Sequence, residues 1–260
     1  MNMCIICNTP NINELVWLNE LDCSECTEIK EIPKELVNLR FLNCGGCTNI
    51  TKIPKELVNL TILNCSGCFC LLVISNKLVN LEILYCSHCP RLFHIPKEFV
   101  NLEDLVCFRC ISLKYIPKEL INLKTLDCSD CPLLSYIPKE LTNLKELDCC
   151  DCPLLKKIPK ELVNLRYLRC PICPLLIHTG IPSTLVNLKD IDYDCDIISI
   201  PKHICKPKIE TNYHNYRKEG CKKLVSTIFE ELIAKTWEPI RAREWCWDED
   251  EKKFMNGMLI

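Results

Sequence analysis

The side chains in this sequence best equipped for chemistry are its 24 cysteines. Most fall in C-x-x-C pairs, from Cys23 and Cys26 to Cys170 and Cys173. A thiolate can attack an electrophile, bind a soft metal ion or form half of a disulfide; a neutral thiol packs as a small apolar group. Recurring C-x-x-C pairs ordinarily point to zinc. Two features weaken that reading here. The pairs keep a fixed period, and each sits among leucines and isoleucines, as Cys44 does between Leu42 and Ile50. Apolar surroundings disfavour the charged thiolate. A four-sulfur site would need neighbouring pairs to converge, for example Cys44, Cys47, Cys65 and Cys68. Disulfides between neighbouring pairs would satisfy the spacing but require an oxidising compartment. The expectation is a ladder of buried thiols with no metal and no cofactor. Cys70 and Cys150 lie outside the pairs. No motif supplies either with a histidine and an acid, so neither is assigned as a nucleophile. Without a glycine-rich phosphate loop or a zinc-protease helix motif, no catalytic residue is assigned, and the chain is not expected to be an enzyme.

The elements that must position these cysteines are internal repeats. The tripeptide Ile-Pro-Lys begins at Ile32, Ile53, Ile95, Ile116, Ile137 and Ile158, with Ile74 in the same slot, at a step of 21 residues. Ile181 follows after 23, the extra two residues lying near His178-Thr179-Gly180. One unit reads L-x-x-L-x-C-x-x-C-x-x-L-x-x-I-P-K-E-L-x-N, as in Leu123 to Asn143. Leu126 and Cys128 alternate, which predicts a short strand with both side chains on one face. Cys131 then turns inward at a bend, and Leu134, Ile137 and Leu141 fill the coil interior. Pro138 forbids a regular strand or helix on the return side. Asn143 is placed to satisfy free backbone groups at the end of each coil. Lys-Glu pairs such as Lys139-Glu140 read as a solvated outer face.

This unit resembles the leucine-rich repeat, with cysteine in one leucine slot and in the Asn/Cys slot. It is similar to repeats of plant resistance-type proteins and of leucine-rich-repeat proteins from large DNA viruses of amoebae. The resemblance covers residues from about Leu15 to Ile204. It implies an α/β solenoid: an arc with a parallel β-sheet on the concave face, an irregular or 3-10 convex side and a C-terminal α-helical cap. It also implies protein recognition on the concave face, and a viral source would place the protein in host cytoplasm.

Three parts are expected: an N-terminal cap coil over 1–17, about nine coils over 18–205, and a helical extension over 206–260. Cys4 and Cys7 repeat the pair but stand 19 residues before Cys23 and Cys26, out of step with the period, and Trp17 fills the asparagine slot. After Cys205, Leu224, Val225, Ile228, Phe229, Leu232 and Ile233 follow helical spacing, and Trp237, Trp245 and Trp247 are concentrated there. That extension either covers the last coil or docks a second protein, as in an adaptor. The formal net charge of −2 does not call for nucleic acid or an acidic membrane surface. No secretory leader and no run of about 20 apolar residues is present, so an intracellular, monomeric chain is expected.

Residues flanking the buried strand leucine should be polar, because they meet water. Phe41, Ile62, Ile83, Tyr85, Val106 and Phe108 break that rule and neighbour one another across four coils. They read as a contact patch for another protein, with His88 and Arg109 beside it. Stacking that merely stabilises the sheet is the competing reading. An acidic strip of Asp127, Asp130, Asp148 and Asp151 adjoins the patch and would favour a basic partner segment over nucleic acid.

Overall fold

The computed structural model describes residues 4–8 and 11–193. Among the described residues there are nine strands of three residues each, the first eight at the expected positions. They are β1 (Glu20–Asp22), β2 (Phe41–Asn43), β3 (Ile62–Asn64), β4 (Ile83–Tyr85), β5 (Asp104–Val106), β6 (Thr125–Asp127), β7 (Glu146–Asp148), β8 (Tyr167–Arg169) and β9 (Asp190–Asp192). They form one sheet in chain order, each parallel to the next. Partners are 21 residues apart until Tyr167 meets Asp190, where the two inserted residues are absorbed. A 3-10 helix, Pro174–His178, takes up the insertion, and Gly180 beyond it adopts φ 65°. Glycine meets that left-handed geometry without a Cβ clash.

Parallel neighbours require a crossover for every strand. Here the crossover is a chain of tight turns, with no helix between β1 and β8. The proline of each Ile-Pro-Lys step has no amide to donate, and its carbonyl accepts from the leucine three residues on, as Pro54 does from Leu57. That leucine accepts in turn from the next, as Leu57 does from Leu60.

The middle residue of every strand is buried and its two neighbours are not, so each coil offers one apolar edge. Stacking converts those edges into one continuous core of leucine, isoleucine and cysteine columns. Phe99 fills a leucine slot with no exposure. The regular register also aligns an asparagine ladder. Asn38, Asn59, Asn80, Asn101, Asn122, Asn143, Asn164 and Asn187 each donate from Nδ2 to a carbonyl of the preceding coil at 2.8–3.1 Å. The first acceptor is Val16, which confirms that Trp17 stands in the asparagine slot of its coil. Trp17 is instead exposed and donates its indole N–H to the Glu14 carbonyl.

The N-terminal segment holds a four-residue helix, α1 (Ile5–Asn8), and a 3-10 turn, Ile12–Glu14. The helical reading of 206–260 and residues 194–205 of the expected solenoid lie outside the described residues. Among the described residues no helix is long and apolar enough to cross a membrane.

Candidate functional site

The strand positions flanking the buried leucine define two open columns on the sheet face. In the first, Phe41 pairs with Ile62 and Ile62 with Ile83. In the second, Asn64 pairs with Tyr85 and Tyr85 with Val106. The register thus brings five of the predicted apolar residues together across β2–β5. Tyr85 is 37% exposed, and Phe41, Ile62, Ile83 and Val106 are half-buried. Phe108 stands beyond β5 with its ring edge-on to His88, centroids 4.7 Å apart at 78°.

The second column has a local duty that explains most of its composition. Asp22, Asn43, Asn64, Asp127 and Asp148 each accept, through Oδ1, from the backbone amide two residues on at 2.9–3.2 Å. This Asx turn bends the chain out of the strand. Three residues beyond each of these positions lies one with positive φ: Glu25, Gly46, Gly67, Asp130 and Asp151 follow them, and His88, Arg109 and Ile172 follow Tyr85, Val106 and Arg169. Asp127 and Asp148 therefore have structural work, and the acidic strip is in part a by-product of the turn. At Tyr85 and Val106 no side-chain acceptor is present and the bend is made without that bond. An apolar surface has taken the place of a turn-stabilising carboxamide or carboxylate at two neighbouring positions.

The rest of the predicted strip is largely paired within the protein. Asp130 meets Arg109 Nε at 3.0 Å, and Asp148 meets Arg169 Nη1 at 2.9 Å. Arg109 and Asp130 thus form one neutral pair beside the patch. Burial, then the Arg109 guanidinium, holds the His88 imidazole below the ordinary histidine range, against the pull of Asp130. His88 accordingly presents a neutral ring to the face at neutral pH.

The cysteines of both columns are buried in the core and do not open onto the sheet face. Cys47, Cys68, Cys89, Cys110, Cys131, Cys152 and Cys173 are buried and each donates its S–H to the carbonyl of the first cysteine in the preceding coil, at 2.9–3.3 Å. That donation is what leucine could not supply and explains cysteine in this slot. The facing thiol of the next coil, then burial, pushes Cys44, Cys65, Cys86, Cys107, Cys128 and Cys149 well above the usual thiol range. Cys150 is pushed up by burial and by the Asp148 carboxylate, the opposite of nucleophile activation. Among the described residues no cysteine is in a disulfide. The convergence considered for Cys44, Cys47, Cys65 and Cys68 does not occur. One group of metal-capable side chains does converge among the described residues: Cys4, Cys7 and Cys26.

One surface was not legible from the repeat. Opposite the sheet, the turn side forms a groove of about 1490 Å³ along the Ile-Pro-Lys steps, lined by Val73, His94, Tyr115 and Tyr136 as well as the Lys-Glu pairs. Tyr115 and Tyr136 are 43% and 48% exposed. The residue before each Ile-Pro-Lys could have shown this column, had the return side been read position by position.

Three segments, 80–102, 122–144 and 143–165, match the Leucine Rich Repeat family model. No curated protein matches the chain. Among solved structures, the chain is similar to the Leptospira interrogans leucine-rich-repeat protein LIC12759 at 23% identity and TM-score 0.47, covering 72% of this chain and 56% of that one. It is also similar to the leucine-rich-repeat domain of the type III effector XCV3220 (XopL), at 19% identity, 75% and 72% coverage and TM-score 0.49. A third is the functional domain of InlJ from Listeria monocytogenes, which includes a cysteine ladder, at 22% identity, 68% and 49% coverage and TM-score 0.39. The chain spans about half the length of the first and third of these. Three segments thus match the Leucine Rich Repeat model, and the described residues form a solenoid of nine parallel strands on the same repeat register.

Proposed function

We propose that this chain is a non-enzymatic scaffold that binds another protein on its sheet face. The contact surface is Phe41, Ile62, Ile83, Tyr85, Val106 and Phe108, with His88 at its edge. The observation that carries the reading is the replacement of the turn-forming Asx residue by Tyr85 and Val106. Two adjacent coils give up a local hydrogen bond in favour of exposed apolar surface, and both lie at the centre of the apolar patch. The side chains are large, rigid and partly supported by one another, which lowers the entropy lost when a partner covers them. The acidic strip of Asp127, Asp130, Asp148 and Asp151 on the flank favours a partner segment with basic residues at its rim. The scaffold acts as a reduced, intracellular monomer, in keeping with buried thiols that hydrogen-bond rather than pair.

The test places a photoreactive phenylalanine analogue at Ile62 or Tyr85 on the sheet face, and at Tyr136 on the turn side, in the full chain. The reading expects one protein to be captured from both sheet-face positions and not from position 136. Capture from position 136 alone would move the binding surface to the opposite side and overturn it.

A further inference from the structure

The N-terminal segment departs from the repeat at the point where its sulfurs meet. In the seven coils from Cys47 to Cys173, the second cysteine donates to a backbone carbonyl 24 residues earlier. Cys4 and Cys7 stand two residues out of that step, 19 rather than 21 before Cys23 and Cys26. As a result the Cys26 sulfur faces another sulfur, Cys7 Sγ at 3.7 Å, and Cys7 Sγ lies 3.7 Å from Cys4 Sγ. All three sulfurs fall within 4.8 Å of one another. Sulfurs bound to one tetrahedral zinc at about 2.3 Å sit about 3.8 Å apart, the edge of that tetrahedron. Two of the three sulfur separations are thus close to that edge, and the third falls within 4.8 Å. Burial raises the Cys26 thiol, but the surrounding hydrogen-bond donors outweigh it and hold it at about 7, below the ordinary thiol range.

The first residues of this segment contribute little to the core. Helix α1 has four residues and buries none, and the 3-10 turn Ile12–Glu14 buries none. A helix that short does not persist without tertiary support. Cys4, Ile6, Cys7 and Ile12 are only partly buried against the core. Cys26, in contrast, is buried in the first coil.

We propose that Cys4, Cys7 and Cys26 bind a zinc ion that staples the N-terminal segment to the first coil. Cys4 and Cys7 come from the segment and Cys26 from the solenoid, so the ion bridges the two. Binding displaces the thiol protons to solvent and leaves the fourth zinc position to water or a further donor. The metal closes this end of the stack, where the Cys7 sulfur lies against the second cysteine of the first coil.

The experiment compares metal content per chain, by elemental analysis, in the full chain and in the Cys4→Ser/Cys7→Ser and Cys26→Ser variants after zinc loading and desalting. Each variant is expected to hold one zinc fewer than the unsubstituted chain, and Cys70→Ser/Cys150→Ser the same as the unsubstituted chain. Cobalt replacement in the unsubstituted chain gives a second readout that requires no variant. It is expected to show thiolate-to-cobalt charge transfer, which Cys26→Ser weakens. Equal zinc in all four chains, no thiolate-to-cobalt band, retention of copper(I) in preference to zinc, or a disulfide within this trio would each overturn the proposal.

Discussion

Replacing Tyr85 with asparagine separates binding from folding. Asn64, its neighbour in register, accepts from the Ser66 amide at 3.1 Å, and position 85 is followed by Ser87 in the same frame. The carboxamide introduced by Tyr85→Asn would restore the turn bond to the Ser87 amide, a net contribution of about 0.5–1.5 kcal/mol. The loss is the covered part of the tyrosine, which is 37% exposed and lies between Asn64 and Val106. Burial of a large side chain is worth about 1.5–3 kcal/mol when complete, so the partial cover removed here offsets the gained bond to within about 1 kcal/mol. For a domain of this size that corresponds to a change of no more than about 2–4 °C in Tm. Thermal unfolding and partner capture are then measured on the same preparation. The expected result is near-unchanged Tm with capture lost. A fall in Tm well beyond that range, with capture by the remaining folded protein intact, would refute the reasoning and make Tyr85 a rung of a stabilising ladder.

Other perturbations probe the remaining parts of the account. Asn122→Ala removes one donor to the Val100 carbonyl and is expected to lower unfolding free energy in urea by about 1 kcal/mol, adding with Asn59→Ala because the two sites are distant. Ile172 carries a β-branched side chain at φ 56°, a strained position, so Ile172→Gly is expected to raise stability by about 1 kcal/mol in the same titration. His88 has a depressed pKa, so the unfolded chain takes up its proton first as pH falls; its contribution is complete above the unfolded value near 6.5 and lost below it. Replacing His88 with Gln should flatten that part of the stability–pH curve, and an unchanged slope would remove His88 from the account.

Most of the solenoid could be read from spacing because each coil repeats the same physical problem. Leu126, Cys128 and Cys131 sit where alternation and the following bend place them, and Asn143 does bond a free carbonyl. What periodicity could not convey was the partner of each polar group. Asp127 and Asp130 look alike in sequence, yet one closes its own turn and the other pairs with Arg109 from the coil before. The left-handed requirement at His88, Arg109 and Ile172 was hidden because only Gly46 and Gly67 announce it. The convergence of Cys4, Cys7 and Cys26 depends on a two-residue slip whose consequence appears only when the segment is folded back on the first coil. The tyrosines of the turn-side groove were obscured by the Lys-Glu pairs beside them.

The most direct test of the sheet face as recognition surface is hydroxyl-radical footprinting of the full chain, free and bound to its captured partner. Both sides of the coil carry accessible aromatic reporters: Phe41, Tyr85 and Phe108 on the sheet side, and Phe93, Tyr115 and Tyr136 on the turn side. The account predicts that the partner slows oxidation of the sheet-side set and leaves the turn-side set unchanged. Protection of Tyr115 and Tyr136 with Tyr85 still oxidised at its free rate would contradict it.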